Sequence, residues 1–295
     1  MKKYIVMILL LGFLPQAVLA LDTVRIEEIT GLKGTLDEKA GVFKVTSPRN
    51  DVAVTVDGRT LDPFLGLTSW AAFTAGKEAE TMVMGDLVLF QDEVNPVMSA
   101  ALENGLTITA LHNHFFYDDP KVYFMHIGGE GEAGKLATGV RAAFDAVGKI
   151  RAANAKPTEG FGGPVIAAEN SISAEPLEEI LGMKGTAKDG MFKISVGRDV
   201  EMDCGCKVGG AMGVASWAAF GGSDDAASVD GDFAVTAAEL QPTLKSLRSN
   251  GINIVAIHNH MTAEKPQIIF FHYWGKGKAG ELAKAVKAAL QIAHP

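Results

Sequence analysis

Apolar and polar residues alternate through "GVFKVTS" (Gly41–Ser47) and "DVAVTVDG" (Asp51–Gly58), and both runs end in turn-forming residues. That period of two predicts strands. "TSWAAFTA" (Thr68–Ala75) and "DLVLF" (Asp86–Phe90) read as two further short strands. In "EVNPVMSAALENG" (Glu93–Gly105) the period changes to that of a helix, with a proline near the first turn and a glycine after the end. "LTITALHNHFF" and "KVYFMHIG" then predict two strands joined by a tight "YDDP" connection at Tyr117–Pro120. Leu136, Val140, Phe144 and Val147 recur at helical spacing in the stretch that follows, which predicts an amphipathic helix.

The same pattern then runs again. "NGLTITALHNH" at Asn104 aligns without a gap with "NGINIVAIHNH" at Asn250, a constant offset of 146 that also relates His126 to His272. "SWAAF" occurs at Ser69 and Ser216, and "IEEITGLKGT" at Ile26 returns as "LEEILGMKGT" at Leu177. The chain is therefore read as a first repeat unit over residues 21–148, a linker over 149–176 rich in Pro, Gly and small polar residues, and a second repeat unit over 177–295. Strands, helix, hairpin and helix make each unit α+β, a mainly antiparallel sheet with helices packed on it. Two copies imply a pseudo-twofold arrangement like that of a homodimer.

Residues 1–20 fit a secretory signal peptide. Lys2 and Lys3 precede an apolar core, and Val18 and Ala20 occupy the small-residue positions before cleavage. The expected location is periplasmic or secreted, with no integral membrane association after cleavage. A formal net charge of -8 argues against nucleic acid as a partner. A small molecule or an envelope ligand is expected instead. The oligomeric state is left open.

Six of the seven histidines fall in two matching clusters: His112, His114 and His126, then His258, His260 and His272. Residues i and i+2 of a strand share a face, so His112 and His114 point the same way. A turn centred near Asp119 puts His126 directly opposite His112, and the same holds for His258 and His272. Each repeat is thus expected to gather three imidazoles, a donor set suited to a divalent transition metal, Zn foremost, with Cu, Ni or Fe as alternatives. A buried polar network is the competing reading of the same residues. Asp118 and Glu264 follow at equal spacing, a partial likeness to the first metal-binding motif of cupins. The third histidine and the following helix depart from that all-β pattern. Glu93 and Glu239 stand at a strand-to-helix junction. These four carboxylates are the candidate general bases.

Beyond each third histidine a Gly-rich turn feeds a helix. It carries Glu130 and Glu132 in the first copy but Lys276 and Lys278 in the second. Lys276, Lys278 and the nearby Trp274 are candidate ligand-binding residues for an acidic ligand, against the plainer reading of solvated turn charges. Trp70 and Trp217 are expected in the core. Cys204 and Cys206, as C-x-C, leave three readings open: a strained disulfide, a soft-metal pair, or free thiols. No nucleotide loop or nucleophile elbow is apparent.

The doubled H-N-H motif, together with "EVNPVMSAALENGLTITALHNH" and "DDPKVYFMHIGGEGEAGKLATGVRAAF", resembles the LppY/LpqO family, also known as the DUF1259 domain. The resemblance spans nearly the whole mature chain. It implies an exported bacterial protein with a duplicated fold, and no activity; the lipobox cysteine of the lipoprotein members is missing here. Two function classes follow. One is a periplasmic metal-binding protein, in its enzymatic form a metal-dependent hydrolase. The other is a non-catalytic module of the cell envelope that binds a glycan or anionic ligand.

Overall fold

The computed structural model describes residues 21–294, and the signal peptide expected over 1–20 lies outside them. The first half runs α1 (Thr23–Thr30), β1 (Gly34–Asp37), β2 (Val42–Pro48), β3 (Thr68–Ala75), β4 (Thr81–Phe90), α2 (Gln91–Glu103), β5 (Thr107–His112), β6 (Val122–Gly131) and α3 (Ala133–Ala153). The second repeats it as α4 (Ala174–Leu181), β7 (Thr186–Lys188), β8 (Met191–Gly197), β9 (Ala215–Gly222), β10 (Ala227–Val235), α5 (Ala237–Ser249), β11 (Asn253–His258), β12 (Ile269–Gly277) and α6 (Ala279–Ala293).

These strands form one 12-stranded sheet in the order β1-β2-β3-β4-β6-β5-β11-β12-β10-β9-β8-β7. The order reads the same from either end once each strand is matched with its repeat. The α+β, duplicated, antiparallel expectation therefore holds, and the pseudo-twofold passes between β5 and β11, where Leu111 pairs with Ile257. The helices cover one face, and their apolar stripes join the inward strand residues of both halves in a single core that includes Ile108, Leu111, Met125, Ile254, Ile257 and Phe271.

The opposite face is partly covered: the linker passes close to Lys276 at Gly163 and close to Gly221 at Asn170. Two small three-stranded sheets sit there: Thr55–Val56, Arg59–Thr60 and Asp118–Asp119 in the first half, and Val200–Met202, Lys207–Val208 and Glu264–Lys265 in the second. One lies near the apolar cluster of Val54, Leu67, Val88, Phe90, Val122 and Phe124, the other near Val200, Val214, Ala234, Ile268 and Phe270.

The central strand pair is clamped from the helix side. β5 and β11 each carry a bulge, between Ile108 and Ala110 and between Ile254 and Ala256. A bulge leaves ladder groups unpaired. In the first half Asn95 of α2 reaches across the seam, accepting from the Ile254 N–H at 2.7 Å and donating to its carbonyl at 3.0 Å. Gln241 of α5 does the same for Ile108, at 2.9 and 2.8 Å. Each repeat thus satisfies the other's bulge.

Several expectations change. The tight YDDP connection does not form: Asp118 and Asp119 pair with Thr55 and Val56 instead, so β5 and β6 are joined by a longer loop. "DVAVTVDG" contributes only Thr55–Val56 as strand. The linker is shorter than residues 149–176, because α3 continues to Ala153 and α4 begins at Ala174. Trp70 and Trp217 are not core residues. Both are partly exposed, on the face away from the helices, with Lys44 and Lys193 lying 4.3 and 4.1 Å over their rings.

Candidate functional site: two histidine clusters on the open sheet face

The longer loop moves the histidine register by two residues. His112 pairs with Phe124 and His126 with Ala110, rather than with each other. His258 pairs with Phe270 and His272 with Ala256 in the same way. An even shift preserves the face, so the histidines become diagonal neighbours on the open side. His112 has ring centres 5.1 Å from both His114 and His126. His258 stands 5.1 Å from both His260 and His272. His114 and His260, just past the strand ends, fold back and stack on Phe124 and Phe270 at 3.3 and 3.4 Å between centres.

An aspartate completes each trio. Asp86 of β4 lies directly across from His126, and Asp232 of β10 across from His272. Asp232 Oδ2 is 3.6 Å from His260 Nε2. The Oδ1 atoms of both Asp86 and Asp232 are buried with no hydrogen-bond partner. These two residues escaped the sequence reading, although "GD" opens the matched segments at Gly85 and Gly231. The available signal was an aspartate at the same place in both matched strands, on the face of the histidines.

The electrostatics act on one ring of each trio and on Asp232. Burial, aided by neighbouring imidazoles, holds His114 and His260 below the ordinary imidazole value. The Asp232 carboxyl is pushed up to about 7 by burial, against the opposing pull of His258. Nδ1 of His112 and of His258 faces the carbonyl of Asn113 and of Asn259, both at 3.4 Å, and Nδ1 of His272 faces that of Gly231 at 3.3 Å. A proton held on Nδ1 leaves Nε2 bare as an acceptor or ligand.

Imidazoles and a carboxylate are the kinds of donor a transition metal takes. A ring nitrogen ligates zinc at about 2.1 Å, so rings sharing a tetrahedral ion have centres about 5 Å apart. Two ring pairs in each trio have this spacing, with their planes 20–26° apart. The donor atoms are less well placed: among the described residues no group of three or more His, Cys, Asp or Glu side chains is gathered closely enough to hold an ion as it stands. The spacing suits ligation, but closing the set takes rotation of the imidazoles.

The other predicted residues lie elsewhere in role. Glu93 is fully buried, and its carboxylate accepts from the Phe90 N–H at 2.9 Å, from Arg49 at 2.7 and 2.9 Å, and lies 2.9 Å from Arg151. Glu239 caps α5 through the Thr236 N–H at 2.8 Å and pairs with Arg198 at 2.7 Å. Asp118 accepts from Val122 N–H and Lys121, both at 2.8 Å. Glu264 accepts from Ile268 N–H at 3.0 Å, and its other oxygen is buried without a partner. Glu93, Glu239 and Asp118 are therefore engaged in capping and ion pairs, while Glu264 keeps one oxygen free. Trp274 and Lys276 follow His272 at steps of two on β12, so they share its face, while Lys278 is the exposed N-cap of α6. Cys204 and Cys206 are exposed free thiols at a hairpin tip, which leaves no disulfide. The seventh histidine, His294, contacts Ser216 Oγ at 2.8 Å.

A groove of about 810 Å³ lies along β8 near Lys184, Met191 and Lys193, and no histidine lines it. No helix among the described residues is long and apolar enough to cross a membrane.

No curated protein matches the chain. Among solved structures it is similar to a trimeric bacterial microcompartment shell protein, PduB, at 11% identity over 88% of this chain and 89% of that one. The TM-score of 0.23 is too low to bear on fold or function. A family model described as "Domain of Unknown Function (DUF1259)" matches twice, over residues 24–146 and 175–292, and the chain belongs to that family.

Proposed function

We propose that the protein binds divalent transition-metal ions, one in each half, on His112, His114, His126 and Asp86 and on His258, His260, His272 and Asp232. The observation that carries this reading is the repeated constellation itself: a middle imidazole with a second and a third ring centre each 5.1 Å away, beside a carboxylate whose buried oxygen has no partner. Buried polar atoms are as a rule satisfied, and an orphaned carboxylate oxygen beside bare imidazole nitrogens is what a cation would satisfy. Zinc is the first choice for a nitrogen-rich set with one carboxylate. Export follows from the order of residues in 1–20 and belongs to the same reading, as does the LppY/LpqO assignment.

Such an ion supplies Lewis acidity, which is the basis for the hydrolase form of the proposal. That form needs a base. Glu93, Glu239 and Asp118 are held by arginines, a lysine and backbone N–H groups, and Asp86 and Asp232 serve as ligands, so of the expected bases only Glu264 keeps an unpartnered oxygen for the role. Binding is therefore the stronger part of the proposal. A second reading, an envelope module for a glycan or anionic ligand, draws on Trp274 and Lys276 sharing the face of His272. It predicts affinity that falls with salt and with Lys276→Glu and ignores chelators.

Elemental analysis of untagged protein tests the metal reading. One ion per half is expected. His112→Ala/His114→Ala and His258→Ala/His260→Ala should each remove one, and Glu93→Gln should remove none. Metal content unchanged by both double variants would rule the site out.

A further inference from the structure

The two clusters are 146 residues apart in sequence, yet the sheet places them side by side. Leu111 pairs with Ile257 across the seam, and both face the helix-side core. Extending that antiparallel register by one residue each way puts Ala110 opposite His258 and His112 opposite Ala256. Both of these pairs face the open side. One row across the sheet therefore reads Trp70, Asp86, His126, Ala110, His258 and Phe270. The next row is its pseudo-twofold image: Phe124, His112, Ala256, His272, Asp232 and Trp217.

Within these rows the four strand histidines make an unbroken zigzag, His126–His112–His258–His272. Adjacent strands are about 4.8 Å apart, so the backbones of His126 and His258 are about 10 Å apart, with only Ala110 between them. His112 and His258 are diagonal neighbours across the seam, about 7–8 Å apart. Alanine is the smallest side chain that keeps a strand regular, and Ala110 and Ala256 leave the floor between the trios low. The small sheets lie near Phe124 and Phe270, at one end of each row, and the four histidines and two alanines between stay partly exposed.

We infer that the two histidine clusters form one bipartite site whose ligand lies across the pseudo-twofold and carries an anionic group at each end. The inference rests on the metal reading above. An ion held by neutral imidazoles and a single carboxylate keeps a net positive charge, and two such centres facing one low floor present two positive ends. A dianion of matching length satisfies both at once. Binding both ends to one chain raises the effective concentration of the second end, so it gains over a monoanion without any new contact.

The test is calorimetric titration of the full zinc-loaded chain with dicarboxylates of increasing length, malonate to adipate, and with acetate as the single-ended control. A bridging site takes one equivalent of dicarboxylate per chain. Affinity should peak at one chain length and exceed that of acetate at least tenfold. Disabling one half with His258→Ala/His260→Ala should bring that dicarboxylate down to the acetate level. Two equivalents per chain, no dependence on length, or affinity unchanged in the half-disabled variant would overturn the inference while leaving the metal sites standing. A chain that takes up no zinc would instead overturn the metal reading, and this proposal with it.

Discussion

Asp232 shows what the site costs the fold. Its side chain is almost fully buried beside the imidazoles, with one oxygen unpartnered, and burial raises its carboxyl from 3.8 to about 7. The unfolded chain has the ordinary carboxyl. Between about pH 4 and pH 7 the native state therefore holds more proton than the unfolded state, so stability falls as pH rises through that window and then levels off. Asp232→Asn removes the charge and keeps the shape. In chelator-treated protein the variant should melt above wild type at pH 8, by about 2 kcal/mol of stability, and the gap should close towards pH 4. The same substitution should weaken metal uptake by the second half. A variant that melts at or below wild type at pH 8 would contradict the idea of an uncompensated buried carboxylate.

The bulged strands β5 and β11 are decided by helices of the opposite repeat. An amide side chain presents one donor and one acceptor, which matches the single N–H and C=O that a bulge leaves bare. Asn95→Ala strips both partners from Ile254 and should cost about 2–4 kcal/mol in a denaturant titration. Gln241→Ala should cost somewhat less, because Gln241 is partly exposed and water can take its place. Neither should change the metal stoichiometry. Equal, negligible losses would mean that the seam is held by apolar packing alone. At this scale the sequence was a good guide where a pattern was local. "TSWAAFTA" is a strand over exactly the residues its alternation marked, Thr68–Ala75. It failed where a distant segment intervened, as when Thr55–Val56 took Asp118–Asp119 out of the expected turn and shifted the histidine register.

At the scale of the molecule, the two repeats are halves of one sheet. Splitting them would expose β5 or β11 as a central strand with an open edge, and would leave half of the helix-side core without its complement. The first half alone, residues 21–153, should therefore pair with itself. β5 of a second copy can take the place of β11, and Asn95 can clamp the partner's copy of the Ile108 bulge. Light scattering should report a dimer, or aggregate at high concentration. A stable monomer would show that each repeat closes its own core.

Some of this was fixed by the residues alone. Period-two and helical patterns, repeated at a constant offset, determined an α+β unit and its duplication, and strand parity kept His112 and His126 on one face through an even shift of register. Strand parity is a local backbone property, so a slip of two residues leaves it intact. Only the tertiary structure could bring Asp86 and Asp232 into the trios, commit Glu93 and Glu239 to arginines far along the chain, and set the two clusters side by side across β5 and β11. Those outcomes depend on which strands become neighbours, and strand order is settled by burial of the shared core, between residues that lie far apart in sequence.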